Sequence, residues 1–139
     1  MTRKLPSSSV TPEVAAKYLE KARRFRRDAE AMPGHLSGSG VAVLCIHSAI
    51  AYADALTIRA GGRKSKSGDH RDAAAFLASV LALRSNDDKA AHKAFQALLN
   101  RKDEVSYADD LVTDLDAHAL RARLQVFAAW AEQRYDALR

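Results

Sequence analysis

The chain has 139 residues, with 47% apolar and 28% charged side chains, which is the composition of one ordinary globular domain. A single cysteine excludes an internal disulfide and favours a reducing compartment. The first ten residues hold no apolar stretch of the kind that secretion signals contain, so we predict a cytoplasmic protein. The formal net charge of +5 permits binding to nucleic acid or another polyanion without proving it.

The polar, serine-rich residues 1–10 predict a disordered N-terminal arm ahead of one helical domain, residues 11–139. Thr11, Pro12 and Glu13 supply an N-cap, an N1 proline and a first-turn acid, so a helix is predicted over about 12–32. Its predicted apolar stripe consists of Val14, Tyr18, Ala22, Phe25, Ala29 and Met32. The opposite face carries Lys17, Lys21, Arg24 and Arg27, with Arg26 at the border. This basic face is either solvated or a strip that binds a polyanion.

A central helix is predicted over about residues 41–60. From Val41 to Ile58 it is apolar nearly all round, with only His47, Ser48, Asp54 and Thr57 distinctly polar. Such a helix belongs in the middle of a bundle. It is about long enough to cross a bilayer, but its charged side chain would be costly in lipid and the other helices offer amphipathic partners. We therefore predict no membrane association, and an end at Gly61-Gly62 in a left-handed cap.

The rest of the chain predicts three more helices. The basic linker 63–68 reads as a flexible turn that is solvated or binds phosphate, and a third helix follows over about 69–83. Ser85 with Asp88, and Thr113 with Asp116, have the spacing of capping boxes that begin the fourth and last helices. The last helix has a long apolar stripe: Leu120, Leu124, Phe127, Ala131, Tyr135 and Leu138. The sequence thus predicts an all-α bundle of five helices with no strand.

Two places in this bundle carry candidate functional groups. His47 and Asp54 lie two turns apart on the central helix, and a buried acid needs a partner, for which Arg101, Arg121 or Arg123 is available. These groups either make a structural contact, inside the bundle or at a dimer face, or line a pocket. Arg101, Lys102 and Tyr107 lie in a polar connection between helices, where both helix capping and a binding site are possible.

Metal and cofactor sites are not predicted. The five histidines lie in five different segments, there is no pair of cysteines, and no glycine-rich phosphate loop follows a strand.

In their order along the chain, several features resemble the HEPN family of small helical bundles. They are the Ala-rich central helix with the sequence from His47 to Leu56, the glycine pair after it, the basic segment ending at His70, and Arg101 separated from Tyr107 by five residues. The resemblance covers the chain from about Tyr18 to Leu138. It implies a five-helix HEPN-like bundle that forms a homodimer and binds or cleaves RNA, in some members beside a small nucleotidyltransferase partner.

The ribonuclease members of that family carry Arg, four to six residues and then His in the connection before the last helix. Here Arg101 matches, but Tyr107 replaces the histidine. Tyrosine, with an ordinary pKa near 10, is a poor proton carrier at neutral pH, whereas it can stack on a base or hydrogen-bond a phosphate. The resemblance therefore implies a binding or regulatory member rather than an efficient nuclease.

The sequence leads to the following functional prediction. The protein is a non-catalytic module that binds RNA, a nucleotide or a partner protein, in a toxin–antitoxin, defence or other RNA-related system. Arg101, Lys102 and Tyr107 form the groove, His47 and Asp54 orient them, and Arg24, Arg27 and Lys64 add phosphate contacts. One alternative is a metal-independent endoribonuclease toxin that uses Arg101 with His47 or His70. The other is a pure interaction partner of a small nucleotidyltransferase.

Overall fold

A computed structural model describes residues 5–31, 37–66, 69, 71–102 and 112–138. This part of the chain contains five α-helices that pack into one bundle: α1 (Ala15–Ala31), α2 (Gly38–Gly61), α3 (Arg71–Val80), α4 (Asn86–Asn100) and α5 (Asp114–Ala137). Two short strands, β1 (Ser7–Ser9) and β2 (Arg63–Ser65), form a ribbon beside the bundle. The predicted all-α bundle around a central apolar helix is confirmed.

The central helix α2 begins three residues before its predicted start. The Ser37 hydroxyl caps it by accepting from the Gly40 N–H at 3.1 Å, and Gly62 ends it with φ 65°, the left-handed cap that the glycine pair predicts. Among the described helices, α2 alone is long and apolar enough to span a membrane, but 72% of its most apolar window is buried. A helix that is buried to this extent is a core helix, and the rest of the bundle packs on it.

Helix α1 runs antiparallel to α2, and α5 runs parallel to it. The hydroxyl of Ser48 in α2 donates to the Ala22 carbonyl of the antiparallel α1 at 2.8 Å. Helix α5 runs parallel to α2: Gly38 lies so close to the segment before α5 that an added Cβ would be 2.5 Å from the Val112 oxygen, and Arg59 donates to the Leu138 carbonyl at 2.6 Å. Helices α3 and α4 connect these two parallel helices.

Local capping rules predict the starts of α4 and α5 correctly. Both predicted capping boxes form, at Ser85 with Asp88 and at Thr113 with Asp116. The apolar stripe of α5 is buried as predicted from Leu120 to Tyr135. The core between α4 and α5 is closed by the stacked rings of Phe95 and Phe127, whose centroids lie 4.6 Å apart.

The orientation of α1 differs from the prediction. After a 3₁₀ turn at Pro12–Val14, the residues that face the core are Ala15, Leu19, Ala22 and Ala29. Tyr18 and Phe25, predicted as core residues, are only half-buried at the edge of the helix. Alanines let α1 approach α2 closely, as the Ser48–Ala22 bond shows, and this close packing turns the two larger rings toward the surface. The basic side chains at 17, 21, 24 and 27 are exposed, as predicted.

The ribbon corrects three predictions: the disordered arm, the flexible linker and the absence of strands. Ser7, Ser8 and Ser9 pair antiparallel with Ser65, Lys64 and Arg63. The Arg63 guanidinium donates to the hydroxyls of Ser7 and Ser9 at 2.8 and 2.9 Å, which ties the strands together. Composition did not reveal this pairing because the partners lie more than fifty positions apart. Residues 1–4 of the predicted arm, and residues 67 and 68 of the linker, lie outside the described residues.

Helix α3 is shorter than predicted, since it spans Arg71–Val80 rather than about 69–83. The following connection is held by the carboxylate of Asp88, which accepts from the Arg84 and Ser85 N–H groups at 2.9 and 3.1 Å. These bonds fix the chain in a non-helical turn before α4 begins.

Candidate functional site

One stripe of the central helix reaches the surface between the helices that cover it. His47 is exposed and its neighbours on the same side, Val43, Leu44, Ile50 and Asp54, are partly buried. These positions recur every three or four residues, so they form one line along α2. The prediction that His47 and Asp54 share a side of the helix agrees with this geometry.

Helix α1 borders the stripe with two aromatic rings and a lysine. The Phe25 ring lies 5.9 Å from the His47 ring, between centroids, with 37° between their planes. The Lys21 ammonium lies 5.9 Å from the Phe25 centroid and 6.0 Å from the Tyr18 centroid, the range of a cation–π contact. The rotation of α1 therefore places aromatic surface beside the open stripe.

Strand β2 supplies the other cation of this region. The Lys64 ammonium donates to the Tyr18 hydroxyl at 3.0 Å and lies 5.1 Å from the centre of the same ring. The hydrogen bond to Tyr18 raises the pKa of Lys64. Lys64 owes this position to the ribbon, because its strand partner is Ser8.

Asp54 completes the cluster. Its burial raises the pKa of the carboxyl to about 7, although the positive charges of Lys64 and Lys21 oppose that rise. Among the described residues, the carboxylate accepts no hydrogen bond and has no cation within ion-pair distance, so the two lysines act on it at longer range. We call the group formed by Tyr18, Lys21, Phe25, His47, Asp54 and Lys64 the binding face.

The arginines predicted to pair with Asp54 lie elsewhere. Arg121 donates to the Ala29 carbonyl at 3.1 Å, and Arg101 lies 3.8 Å from the carboxylate of Asp116 in the first turn of α5. The predicted pairings with Arg121 and Arg101 are wrong. The charged side chains that act on the Asp54 carboxyl are Lys21 of α1 and Lys64 of β2.

The predicted groove is also separated from the binding face. Arg101 lies at the end of α4 opposite the start of α5, and the start of α5 lies against Gly38, where α2 begins. Asp54 is sixteen positions farther along α2, a distance of about 24 Å along the helix axis. The chain therefore does not bring Arg101 and the adjacent Lys102 together with Asp54. Tyr107 lies outside the described residues.

The two other predicted phosphate contacts on α1 lie on different sides of the helix. Arg24 is exposed three residues after Lys21, beside the binding face, and bonds Glu20 at 3.0 Å. Arg27 is exposed four residues after Arg23, on the side where Arg23 bonds Glu132 of α5 at 2.6 Å. Of the predicted residues, the structure thus groups His47, Asp54 and Lys64, with Arg24 adjacent.

Tyr18 and Phe25 of the binding face were not predicted as site residues, and Lys21 was predicted only as part of the basic face that is either solvated or binds a polyanion. The signal for them was ambiguous, because an aromatic residue at helical spacing is typical of a core and a lysine on the opposite face is typical of a solvated surface. A shallow groove of about 500 Å³ runs along α1 next to the face and is lined by Ala16, Lys17, Glu20, Lys21, Arg24, Phe25 and Asp28. In the described part of the chain, no three His, Cys, Asp or Glu side chains come together as metal ligands.

No protein-family model, no curated protein and no solved structure matches this chain. The resemblance to the HEPN family therefore stays a prediction from the sequence.

Proposed function

We propose that this protein is a non-catalytic, HEPN-like module that binds RNA on the binding face. The observation that carries the proposal is that lysines from two separate elements, Lys21 of α1 and Lys64 of β2, meet at one open surface with aromatic rings. Cations bind RNA phosphates, and exposed rings bind unpaired bases.

The phosphate contacts are expected from the side chains at the edge of the face. Lys21 is exposed, Arg24 adjoins it, and Lys64 is partly exposed. Arg24 is partly neutralised by Glu20, so the two lysines are the stronger candidates. Affinity that comes from such contacts falls steeply with salt, because bound phosphates release their counterions.

The base contacts are expected at Phe25 and His47. Their rings form a tilted pair in which the histidine is exposed and the phenylalanine half-buried. An unpaired base can stack its flat face on such rings, and this stacking does not depend on which of the four bases it is. The face therefore favours single-stranded RNA over a duplex, in which the bases are stacked on each other.

Two observations favour binding over cleavage. The histidine of the ribonuclease motif is replaced by Tyr107, and Arg101 pairs with Asp116 at the opposite end of α2 from Asp54. The alternative, an endoribonuclease that uses Arg101, requires RNA to be cut without metal and the cutting to stop in Arg101→Ala. The nucleotidyltransferase-partner alternative requires no affinity for RNA at all.

The test is fluorescence anisotropy of a labelled single-stranded RNA with the wild type and with the double variant Lys21→Ala, Lys64→Ala. The control is Lys89→Ala, Lys93→Ala, which removes the same charge from exposed positions of α4. We expect the first variant to bind more weakly and to lower the slope of log affinity against log salt by about 1.4, and the control to lower it far less.

Three results would contradict the proposal. Equal losses of affinity in both double variants would mean that only net charge matters, and the absence of binding at low salt would favour the protein-interaction alternative. The same samples are run on a denaturing gel, where RNA shortened by the wild type but not by Arg101→Ala would establish the ribonuclease alternative instead.

A further inference from the structure

An acidic group sits inside the cationic cluster that the proposed function uses. The charged and titratable groups around the Asp54 carboxyl are Lys21 and Tyr18 of α1 and Lys64 of β2, with His47 two turns away on α2. Resting on the proposed function, we propose that Asp54 is a proton switch: RNA binds when its carboxyl takes up a proton and is released when that proton is lost.

The first reason for the switch is the net charge of the binding face. With Asp54 ionised, the two lysines and the carboxylate give the centre of the face a charge of +1, and protonation raises it to +2. The ionised carboxylate also repels an incoming phosphate directly. No hydrogen bond from a described residue ties the carboxylate to the protein, so the added proton changes the field at the surface without breaking an internal contact.

The proton also changes what Asp54 offers to a ligand. An ionised carboxylate can only accept hydrogen bonds, whereas the protonated group donates one. A phosphate oxygen or a base carbonyl needs a donor. The protonated form therefore joins the lysines as a third donor on the face, and the ionised form opposes them.

The burial of Asp54 places the protonation of its carboxyl in the neutral pH range. An exposed aspartate is ionised throughout the neutral range, but here burial raises the pKa to about 7. Asp54 is thus mainly neutral below pH 7 and mainly ionised above it. Affinity for RNA should fall as the pH rises through this value.

The experiment measures the affinity of a fluorescein-labelled uridine 12-mer at pH 6 and pH 8 and at constant ionic strength. We expect the wild type to bind about three- to tenfold more tightly at pH 6, since one unit charge is removed close to the phosphates. Asp54→Asn keeps the size of the side chain and mimics the neutral form. It should bind at both pH values about as tightly as the wild type at pH 6.

His47→Gln is the decisive control, because histidine titrates in the same pH range. The proposal expects the pH dependence to persist in His47→Gln and in Asp28→Asn, which removes an exposed acid of α1 outside the cluster. Loss of the pH dependence in His47→Gln, with its persistence in Asp54→Asn, would assign the switch to the histidine and overturn the proposal.

The remaining outcomes separate this inference from the function on which it rests. RNA binding that is the same at both pH values would leave the proposed function standing and overturn the switch, whereas no binding at either pH would overturn both. Carbon-13 NMR of the Asp54 carboxyl in the free wild type is independent of any variant. A titration midpoint near 7 is expected, and one below 5 would also overturn the switch.

Discussion

Two aspartates in this small bundle have opposite electrostatic environments. Asp88, at the start of α4, is buried, and its carboxylate accepts from the Trp130 indole at 2.9 Å and the Arg134 guanidinium at 3.1 Å. The carboxylate of Asp54, on the open stripe of α2, accepts no hydrogen bond from the described residues. The indole and the backbone N–H of Arg84 lower the pKa of Asp88, whereas burial raises that of Asp54 to about 7.

The comparison shows that burial alone does not decide the charge of an acid. Water is removed from both carboxylates, but only Asp88 receives enough donors to replace it. Such complete satisfaction is typical of a structural group, and here it joins the start of α4 to α5. A desolvated group without donors is less stable when charged, and such groups occur at functional sites more often than elsewhere.

The largest effect is expected from Asp88→Ala, which removes the structural member of the pair. It leaves the Trp130 indole, Nη1 of Arg134 and the N–H groups before α4 without their acceptor. We expect the free energy of unfolding to fall by about 2–4 kcal/mol at pH 7, measured by urea denaturation. Asp87→Ala, at an exposed neighbouring position, is the control and should lower it by about 0.5 kcal/mol. Similar losses of unfolding free energy in both variants would mean that the hydrogen bonds of Asp88 do not stabilise the fold.

Asp54→Asn should raise the free energy of unfolding, whereas Asp88→Ala lowers it. Because the folded pKa of Asp54 lies above the unfolded value, the native state binds more protons between about pH 4 and pH 7, and its stability falls as the pH rises through that window. Replacing the acid should therefore stabilise the protein by about 1–3 kcal/mol at pH 8 and hardly at all at pH 4. Urea midpoints at the two pH values measure this difference, and a destabilisation at pH 8 would contradict the raised pKa.

Trp130→Phe should have the smallest effect, since it removes one donor to Asp88 and keeps an aromatic ring. The expected loss is about 1–2 kcal/mol at pH 7. Because the folded pKa of Asp88 is lowered, its stabilising effect is present above the unfolded pKa and is lost as the pH falls through the folded value. Without the indole the folded pKa of Asp88 rises, so acid unfolding should begin at a higher pH. The unfolding is measured by circular dichroism, because the variant lacks the chain's single tryptophan and its fluorescence. An unchanged acid midpoint would show that the indole does not set the pKa.

Sequence reasoning succeeded where neighbours along the chain decide the structure. Ser85 with Asp88 and Thr113 with Asp116 start their helices through bonds that span three residues, and Gly62 ends α2 through its own backbone angle. It also placed His47 and Asp54 on one side of α2, since helical periodicity alone sets that relation. It did not find the second role of Asp88, whose partners Trp130 and Arg134 lie more than forty positions away.

The sequence by itself therefore determined the all-α class, the central position of α2, the starts of α4 and α5 and the line that His47 and Asp54 share. All of these follow from the spacing of apolar and capping residues within one helix. Only the tertiary structure decided which side chains of the other elements lie next to that line. The alanines of α1 set its rotation and so brought Tyr18, Lys21 and Phe25 to its edge, and the pairing of β1 with β2 carried Lys64 to Tyr18. Contacts between distant segments depend on how closely whole surfaces fit, and no local pattern encodes that fit.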